Sequence, residues 1–503
     1  MHLIELKKRD KISEVPSVGK RFYRFRTLEK LLTAPYSELE NQTIYFSPPE
    51  TLNDPQEGYR DIYWKGDSIL WRNLFKNYIT SLETLVIEWN LMGSLEPINF
   101  DNMDVFRTIE EYPTPQYQAL VNGICDRFLS DNGLKLLIEQ LANRELPVRK
   151  NELETYLNLI HPYALQVIFE EYKANNLTSF EANFTTDRDN YLHEVLNNKW
   201  LSNIGKVIDS SKEDTDLESI FQLSKSIREQ LHLSNLLGME PIDESDTEKL
   251  NAFTNSLNMN KNFPSLYIKK LEDLAYPRWF TACFMSECEN ASVWGHYGNN
   301  HTGVCLIYES DDTNSLRIER PVSTSCSGTH SEFRPHQLKE ITYSDSDSRA
   351  IDFFNSLGRL PAFKIHNHWF KSESGDISPN IDKFDSDEWR AKYWDEFHRD
   401  ITLKNEDWAY EKEHRIILTS MLFDFCSVKD RCLKYDFKQL KGVIFGVRTP
   451  ITDKVKIINI IQKLCDEHKL DSFEFYQASY SVSNNKIVNF PLNVFNIPTE
   501  TST

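Results

Sequence analysis

Two glutamates stand two residues apart in segment 408–418, which reads Trp-Ala-Tyr-Glu-Lys-Glu-His-Arg-Ile-Ile-Leu. The pattern predicts a β-strand, in which residues two apart share a face and stand about 6.5–7 Å apart. Glu411, Glu413 and Arg415 are then expected on one side of the sheet. Since buried carboxylates without partners are costly, that side is either wet or lines a cleft with a cationic or hydroxyl-bearing ligand. We favour the cleft.

A pair of carboxylates in a cleft can perform chemistry on a sugar. One carboxylate could bind a ribose hydroxyl and stabilise positive charge developing on the sugar carbon, while its neighbour takes a proton from the attacking group. An alternative from another enzyme class is a magnesium-dependent nuclease, with an oxygen cage made of Asp54, Glu57, Glu411 and Glu413. The net acidity of the chain counts against this alternative.

Two further segments carry side chains suited to binding. Arg24 and Arg26 share a face of the first predicted strand, where they form either a solvated surface or an anion- or amide-recognition site. A strand that ends at Ser286 leads into a helical turn with Trp294 and Tyr297 three residues apart. Such aromatics either belong to the core or stack on a planar ring at a cleft mouth.

Composition limits the function classes. The 503 residues carry a net charge of −19, which argues against a general DNA or RNA coat. No apolar run of 18 residues exists and the first ten residues contain no apolar signal region, so we expect a cytoplasmic protein without membrane contact. The eight cysteines form no Cys-x-x-Cys pair, and Cys283, Cys288, His296 and His301 fit no zinc pattern, so we expect reduced thiols and no metal.

The chain alternates between two kinds of pattern. Residues 1–60 predict strand, helix and strand, residues 61–275 predict long amphipathic helices, and residues 276–480 predict strands again. Residues 481–503 predict an edge strand and a flexible tail. The fold class is therefore expected to be α+β, with one β-rich domain interrupted by a large helical insertion.

Several of these motifs together resemble a known family. They resemble a bacterial family catalogued only as a domain of unknown function, members of which occur among anti-phage defence genes. The match spans roughly 21–60 and 278–465, a little under half of the chain. The motifs that carry it are residues 23–26, 44–55, 283–286 with 293–297, 408–415, and 443–446.

A more remote resemblance is to ADP-ribosyltransferases and poly-ADP-ribose polymerases. In those enzymes an Arg or His on the first strand holds NAD, a Ser or Tyr lies beside the nicotinamide, and a late strand carries the catalytic Glu. The resemblance implies a split, antiparallel-rich sheet of that type, with NAD as a substrate. It assigns catalysis to Glu413, Glu411 and Tyr297, and NAD binding to Arg24, Arg26, Ser286, Trp294 and Asn53.

The leading hypothesis is therefore an NAD-consuming transferase or NAD hydrolase that acts as a toxin or anti-phage effector. Its acceptor would be a protein or a nucleic acid, and the replacement Glu413→Gln is expected to remove activity with little loss of stability. A third hypothesis is an inactive, enzyme-like sensor or interaction module. In that case the helical insertion would bind a regulatory protein partner, since paired amphipathic helices commonly form such surfaces.

Overall fold

The computed structural model divides the chain into two compact units. The first unit contains Met1–Tyr59, Arg278–Asp347 and Arg399–Thr503, and the second contains Arg60–Pro277 and Ser348–His398. The structure describes residues 19–54, 57, 60–92, 95–100, 103–105, 107–177, 214–237, 243, 245–325, 328–345, 350–384, 386–420, 423, 425–483 and 485–492.

An eight-stranded main sheet forms the centre of the first unit. Its strands, numbered along the chain, are β1 (Arg21–Arg26), β2 (Trp279–Met285), β3 (Val304–Glu309), β4 (Lys339–Glu340), β5 (Glu413–Thr419), β6 (Leu440–Phe445), β7 (Glu474–Ser481) and β8 (Lys486–Pro491). Their order across the sheet is β8-β7-β6-β3-β1-β2-β5-β4. The pairing of β6 with β7 is parallel, and the other pairings of the sheet are antiparallel.

Both faces of the main sheet are covered, which explains why its central strands carry apolar residues on alternate sides. One face packs on helix Ile451–His468 through Ile457 and Ile461. The opposite face packs on the short helix Ala291–Tyr297 through Val293 and Trp294. The sheet therefore has a large apolar layer on one side and a smaller one on the other.

Short elements surround the main sheet in the first unit. The α-helix Leu28–Leu32 follows β1, and strand Thr43–Tyr45 pairs with Cys432–Lys434. The other pairs are the hairpin Ser315–Ser325 with Gly328–Gln337, and Thr342–Tyr343 with Leu403–Lys404. Turns of 3-10 helix cover Pro49–Thr51, Glu406–Glu411, Lys429–Arg431 and Phe437–Gln439.

The second unit is mainly helical. Its α-helices are Ser68–Met92, Pro115–Ser130, Asn132–Asn143, Lys150–Ala174, Asp214–Leu237, Thr247–Leu257, Phe263–Ala275, Ala362–His368 and Asp387–Thr402, the last turn of which lies in the first unit. A π-helical turn covers Asn258–Asn262, and 3-10 turns cover Ile109–Glu111 and Pro379–Lys383. Strands Asp61–Trp64, Val148–Arg149 and Ala350–Asp352 form a small sheet.

The prediction of a mixed α+β chain with a multi-stranded sheet is confirmed. The domain boundaries differ in one respect, because residues 348–398 were expected in the β-rich domain but belong to the helical unit. Strand Ala350–Asp352 pairs with Asp61–Trp64, which explains the difference. Residues 1–18, 178–213 and 493–503, which include the predicted tail, lie outside the described residues. Among the helices that the structure describes, none has the length and apolar character needed to span a bilayer.

Candidate functional site

The acidic segment 408–418 folds into two elements. Residues Glu406–Glu411 form a 3-10 helix, and β5 begins only at Glu413. Asn405 starts the 3-10 helix because its side chain accepts a hydrogen bond from the backbone N–H of Asp407 at 2.9 Å. The prediction of one continuous strand is therefore wrong for its first half, whereas the alternation from Glu413 onward is correct.

The residue between the two glutamates turns the chain. Lys412 has φ 47° and ψ 50°, the left-handed conformation, which ends the 3-10 helix and starts the strand. The carbonyl oxygen of Lys412 accepts hydrogen bonds from the backbone N–H of Ser286 at 3.1 Å and from its hydroxyl at 3.4 Å. This turn brings Glu411 and Glu413 to the same place although they are not on one strand.

Lys404 lies at the centre of a cluster of buried charges. Its Nζ is 2.7 Å from Oε2 of Glu411, 3.0 Å from Oε1 of Glu57 and 3.1 Å from Oε2 of Glu413. The side chains of all four residues are at most 2% exposed. One ammonium group therefore serves three carboxylates that come from separate parts of the chain.

Arg415 is the second cation of the cluster. Its Nε and Nη2 bind the two carboxylate oxygens of Glu413 at 2.7 and 3.0 Å, a bidentate pairing. The same Nη2 donates to Oε1 of Glu57 at 2.6 Å, and Nη1 donates to the carbonyl oxygen of Ile401 at 3.2 Å. We call Glu57, Lys404, Glu411, Glu413 and Arg415 the charge cluster.

Hydroxyl and thiol groups border the charge cluster. The Tyr297 hydroxyl donates to Oε1 of Glu411 at 3.0 Å, and the Tyr343 hydroxyl accepts from the backbone N–H of Glu413 at 2.8 Å. The Cys283 thiol hydrogen-bonds Glu413, and burial raises the pKa of that thiol. Tyr297 is half-buried, so Glu411 lies one hydroxyl group away from the surface.

The two neighbouring glutamates have pKa values shifted in opposite directions. Burial raises the pKa of Glu411 above its ordinary value, and the Lys404 ammonium offsets only part of this effect. Burial acts on Glu413 as well, but Arg415 and Lys404 outweigh it and hold the pKa of Glu413 below its ordinary value. The cluster contains three carboxylates and two cations, so a proton on Glu411 makes it neutral.

A partly exposed aromatic group adjoins the charge cluster. The Lys404 ammonium lies 4.9 Å from the centre of the Trp408 ring, a cation–π contact. The Tyr410 hydroxyl lies 3.2 Å from Nδ1 of His296, and the Trp408 and Tyr410 ring centres are 6.2 Å apart. His296 is exposed and the other two rings are half-buried. We call His296, Trp408 and Tyr410 the aromatic group.

Most of this site lies in a segment that comparison identifies. Residues 293–416 are a DUF2971 domain, a family described as protein of unknown function. The predicted resemblance to a family of unknown function is therefore confirmed. No curated protein and no solved structure matches the chain. The DUF2971 segment contains four members of the charge cluster and the whole aromatic group, and Glu57 joins the cluster from outside it.

Arg24 does not face the DUF2971 carboxylates. Tyr23 lies opposite Met285 and Met285 lies opposite Glu413, so these three side chains share one face of the sheet. Arg24, the next residue of β1, points to the other face. There its guanidinium donates to the carbonyl oxygens of Tyr45 at 2.8 Å and Cys283 at 3.2 Å. The expected NAD contact of Arg24 opposite the paired acids is wrong.

The other predicted binding residues are dispersed. Arg26 is buried and pairs with Glu38. Trp294 is fully buried, with Nε1 donating to the carbonyl oxygen of Cys288 at 2.8 Å, so the core interpretation of this residue holds and the stacking role does not. Asn53 is exposed in a turn. Ser286 lies beside the cluster, where it fixes the carbonyl group of Lys412.

Sequence reasoning missed Lys404 altogether. Its strand is only two residues long, Leu403–Lys404, and no alternation marks it. A signal was nevertheless present for the segment that follows, because Asn405 with Glu406 and Asp407 is a typical helix start. Among the described residues, no group of three or more His, Cys, Asp or Glu side chains is placed to hold a metal ion.

Proposed function

We propose that the charge cluster is the acid–base centre of an enzyme that cleaves the N-glycosidic bond of NAD or a related nucleotide, by hydrolysis or by ADP-ribose transfer. The observation that carries this proposal is the pair Glu411 and Glu413, which share the Lys404 ammonium but have pKa values shifted apart. Two adjacent carboxylates whose environments separate their pKa values are suited to two different roles in one reaction.

The roles follow from the charges. Glu413 stays ionised beside Arg415 and Lys404, so its carboxylate stabilises positive charge on the sugar carbon as the bond to the nicotinamide nitrogen breaks. Nicotinamide leaves with the bonding electron pair. The oxygen of water or of an acceptor hydroxyl then bonds to the sugar carbon and gives its proton to Glu411. Tyr297 orients Glu411 through its hydroxyl group.

The aromatic group supplies a binding surface for the planar base. Rings of Trp and Tyr stack on flat ligands, and Trp408 already contacts the Lys404 ammonium. The substrate reaches the carboxylates when the 3-10 helix Glu406–Glu411 shifts about Lys412. Short 3-10 segments often serve as hinges, and this segment carries Trp408, Tyr410 and Glu411 together.

This proposal departs from the transferase resemblance at the first strand. NAD binding is not assigned to Arg24, whose guanidinium is engaged by two backbone carbonyl groups on the opposite sheet face. A nuclease with Asp54, Glu57, Glu411 and Glu413 as magnesium ligands is less favoured. The Lys404 ammonium lies between three of these carboxylates, where a bound cation would need to be.

The direct test is release of nicotinamide from NAD, followed by chromatography with and without protein and nucleic-acid acceptors. We expect turnover by the wild-type protein and a loss of kcat on the order of 10²–10⁴-fold in Glu411→Gln. The matched control is Glu406→Gln, an exposed residue on the same 3-10 helix. Absence of turnover by the wild-type protein under every condition, or equal rates for the two variants, contradicts the proposal.

The resemblance to defence-associated proteins motivates a cellular version of this proposal. Consumption of NAD would make the protein a toxin or an anti-phage effector. Induced expression in a bacterial host should then lower cellular NAD and arrest growth, and Glu411→Gln should relieve both effects. Growth arrest without a fall in NAD would contradict the assignment of NAD as substrate.

A further inference from the structure

The helical unit contains a polar pocket that the proposed function does not use. The pocket has a volume of about 150 Å³, which is room for roughly five water molecules. One wall is helix Ser68–Met92, and the others come from residues 107–110 and 367–373. Every lining residue belongs to the second unit, so the pocket is separate from the charge cluster.

The helix wall shows a pattern that a purely structural helix does not need. Asn73, Lys76, Asn77 and Thr80 recur at helical spacing and form a polar stripe on a helix whose other faces are apolar and buried. Asn73 and Thr80 are only 7% and 6% exposed. Polar side chains are costly to bury, and this stripe faces the pocket.

Buried hydrogen bonds fix the opposite wall. The Nδ2 of Asn73 donates to the carbonyl oxygens of Trp369 and Lys371 at 2.9 and 3.0 Å. On the helix wall, Oδ1 of Asn77 accepts from the Tyr267 hydroxyl at 2.7 Å. The backbone that carries Lys371 is therefore held against the helix, and the pocket is preformed.

The charges of the lining favour an anion. Lys76, Arg107 and Lys371 line the pocket together with Glu110 and Glu373. Glu373 is neutralised by Lys76 at 2.8 Å and by Arg72 at 2.9 Å. Lys371 is exposed and makes no ion pair with any described residue. A positive surplus at this point contrasts with the net charge of −19 of the whole chain.

We propose that this pocket binds the phosphoryl group of a small metabolite. Three cations suit a doubly charged group better than a single carboxylate, and side-chain amides and hydroxyls can bind further oxygen atoms. The small volume leaves space for the phosphoryl group and part of a sugar, but not for a whole dinucleotide. Binding here would tie the helical unit to the supply of a phosphorylated compound.

The probes are inorganic phosphate, ribose 5-phosphate, ribose and succinate, titrated calorimetrically against the full chain. We expect ribose 5-phosphate to bind most tightly and ribose not to bind. Lys371→Glu should weaken ribose 5-phosphate binding on the order of tenfold, because it replaces an attraction by a repulsion. Lys371→Gln should have a smaller effect in the same direction. Lys135→Glu, an exposed change on another helix of the same unit, is the control.

Three results would overturn the proposal. They are no binding of either phosphate compound at millimolar concentration, succinate binding as tight as that of ribose 5-phosphate, and equal weakening by Lys371→Glu and Lys135→Glu. Circular dichroism of each variant shows whether it is folded. Because none of these readouts depends on NAD, failure here is distinguishable from failure of the proposed enzymatic function.

Discussion

At the scale of single residues, the charge cluster separates two kinds of glutamate. Glu413 is held as an anion by a bidentate arginine and an ammonium group, whereas burial makes Glu411 the cheapest group to protonate. The initial expectation was that Glu413→Gln removes activity with little loss of stability. The buried pairing with Arg415 changes that expectation.

We predict that Glu413→Gln destabilises the protein by about 3 kcal/mol or more, because it leaves Arg415 and Lys404 without their shared carboxylate. Urea unfolding at neutral pH measures the loss. Glu411→Gln resembles the protonated form of Glu411, so its stability should be equal to or above that of the wild type. The opposite order of the two variants would contradict the assigned charges.

The pH dependence of stability follows from the same two shifts. The pKa of Glu413 is lowered by folding, so its contribution is present above the unfolded pKa of about 4.5 and is lost as pH falls through the folded value. The pKa of Glu411 is raised, so its contribution falls as pH rises through 4.5 towards the folded value. Unfolding of Glu411→Gln from pH 4 to 8 should therefore show stability falling less above pH 4.5 than in the wild type. An unchanged profile would contradict the shift.

Lys404 should be the most sensitive cation of the cluster. The change Lys404→Met places three carboxylates around a single guanidinium, and we expect a loss of roughly 3–5 kcal/mol in the free energy of unfolding. Lys412→Met is the matched control, because Lys412 is half-exposed and pairs only with Glu287. Its effect should stay within about 0.5 kcal/mol. Equal losses would mean that the cluster does not depend on its central ammonium.

At the scale of secondary-structure elements, the turn at Lys412 decides the site. The sequence predicted that Glu411 and Glu413 lie together, and they do, but through a 3-10 helix and a left-handed residue. Alternation was informative from Glu413 onward because β5 is a regular strand. It could not show Lys412 as a turn, since lysine has no particular preference for positive φ.

The position of Arg24 shows a second limit of sequence reasoning. Alternation correctly separates the two faces of β1, but only the register between strands decides which of them faces Glu413. That register depends on contacts between segments some 260 and 390 residues apart, and no local pattern reports it. Lys404 was missed for a related reason, because its partners come from three different segments.

Arg24 therefore provides a test at this scale. If the protein cleaves NAD, Arg24→Met should leave the KM for NAD within about twofold of the wild-type value, because the guanidinium lies on the other face of the sheet. Some stability should be lost, since two buried carbonyl groups lose their donor. A large rise in KM with normal stability would restore the transferase-type role of this residue.

At the scale of the whole molecule, each unit is built from separated parts of the chain. Strand Ala350–Asp352 completes the small sheet of the helical unit, and Trp369 is bound to Asn73 through its carbonyl oxygen. A simple insertion at 61–275 was predicted because helical periodicity stops there. The periodicity could not show that a distant segment returns to the same unit. A regulatory partner of this unit stays a prediction.

A fragment experiment tests this organisation. Residues 60–277 alone should not melt cooperatively, because they lack the strand and the buried aromatic residues of 350–384. The same fragment joined to residues 348–398 by a flexible Gly/Ser linker should show a cooperative transition by circular dichroism. Cooperative melting of 60–277 alone would contradict the unit boundaries.

The order of the main sheet has a consequence for biosynthesis. Strand β1 lies between β2 and β3, yet both neighbours are translated more than 250 residues later. A ribosome must therefore release the helical segment before the first strand finds either hydrogen-bonding partner. During this interval its open backbone edges are exposed to other nascent chains. Chaperone supply during synthesis should accordingly limit the yield of folded protein more than its final thermodynamic stability does.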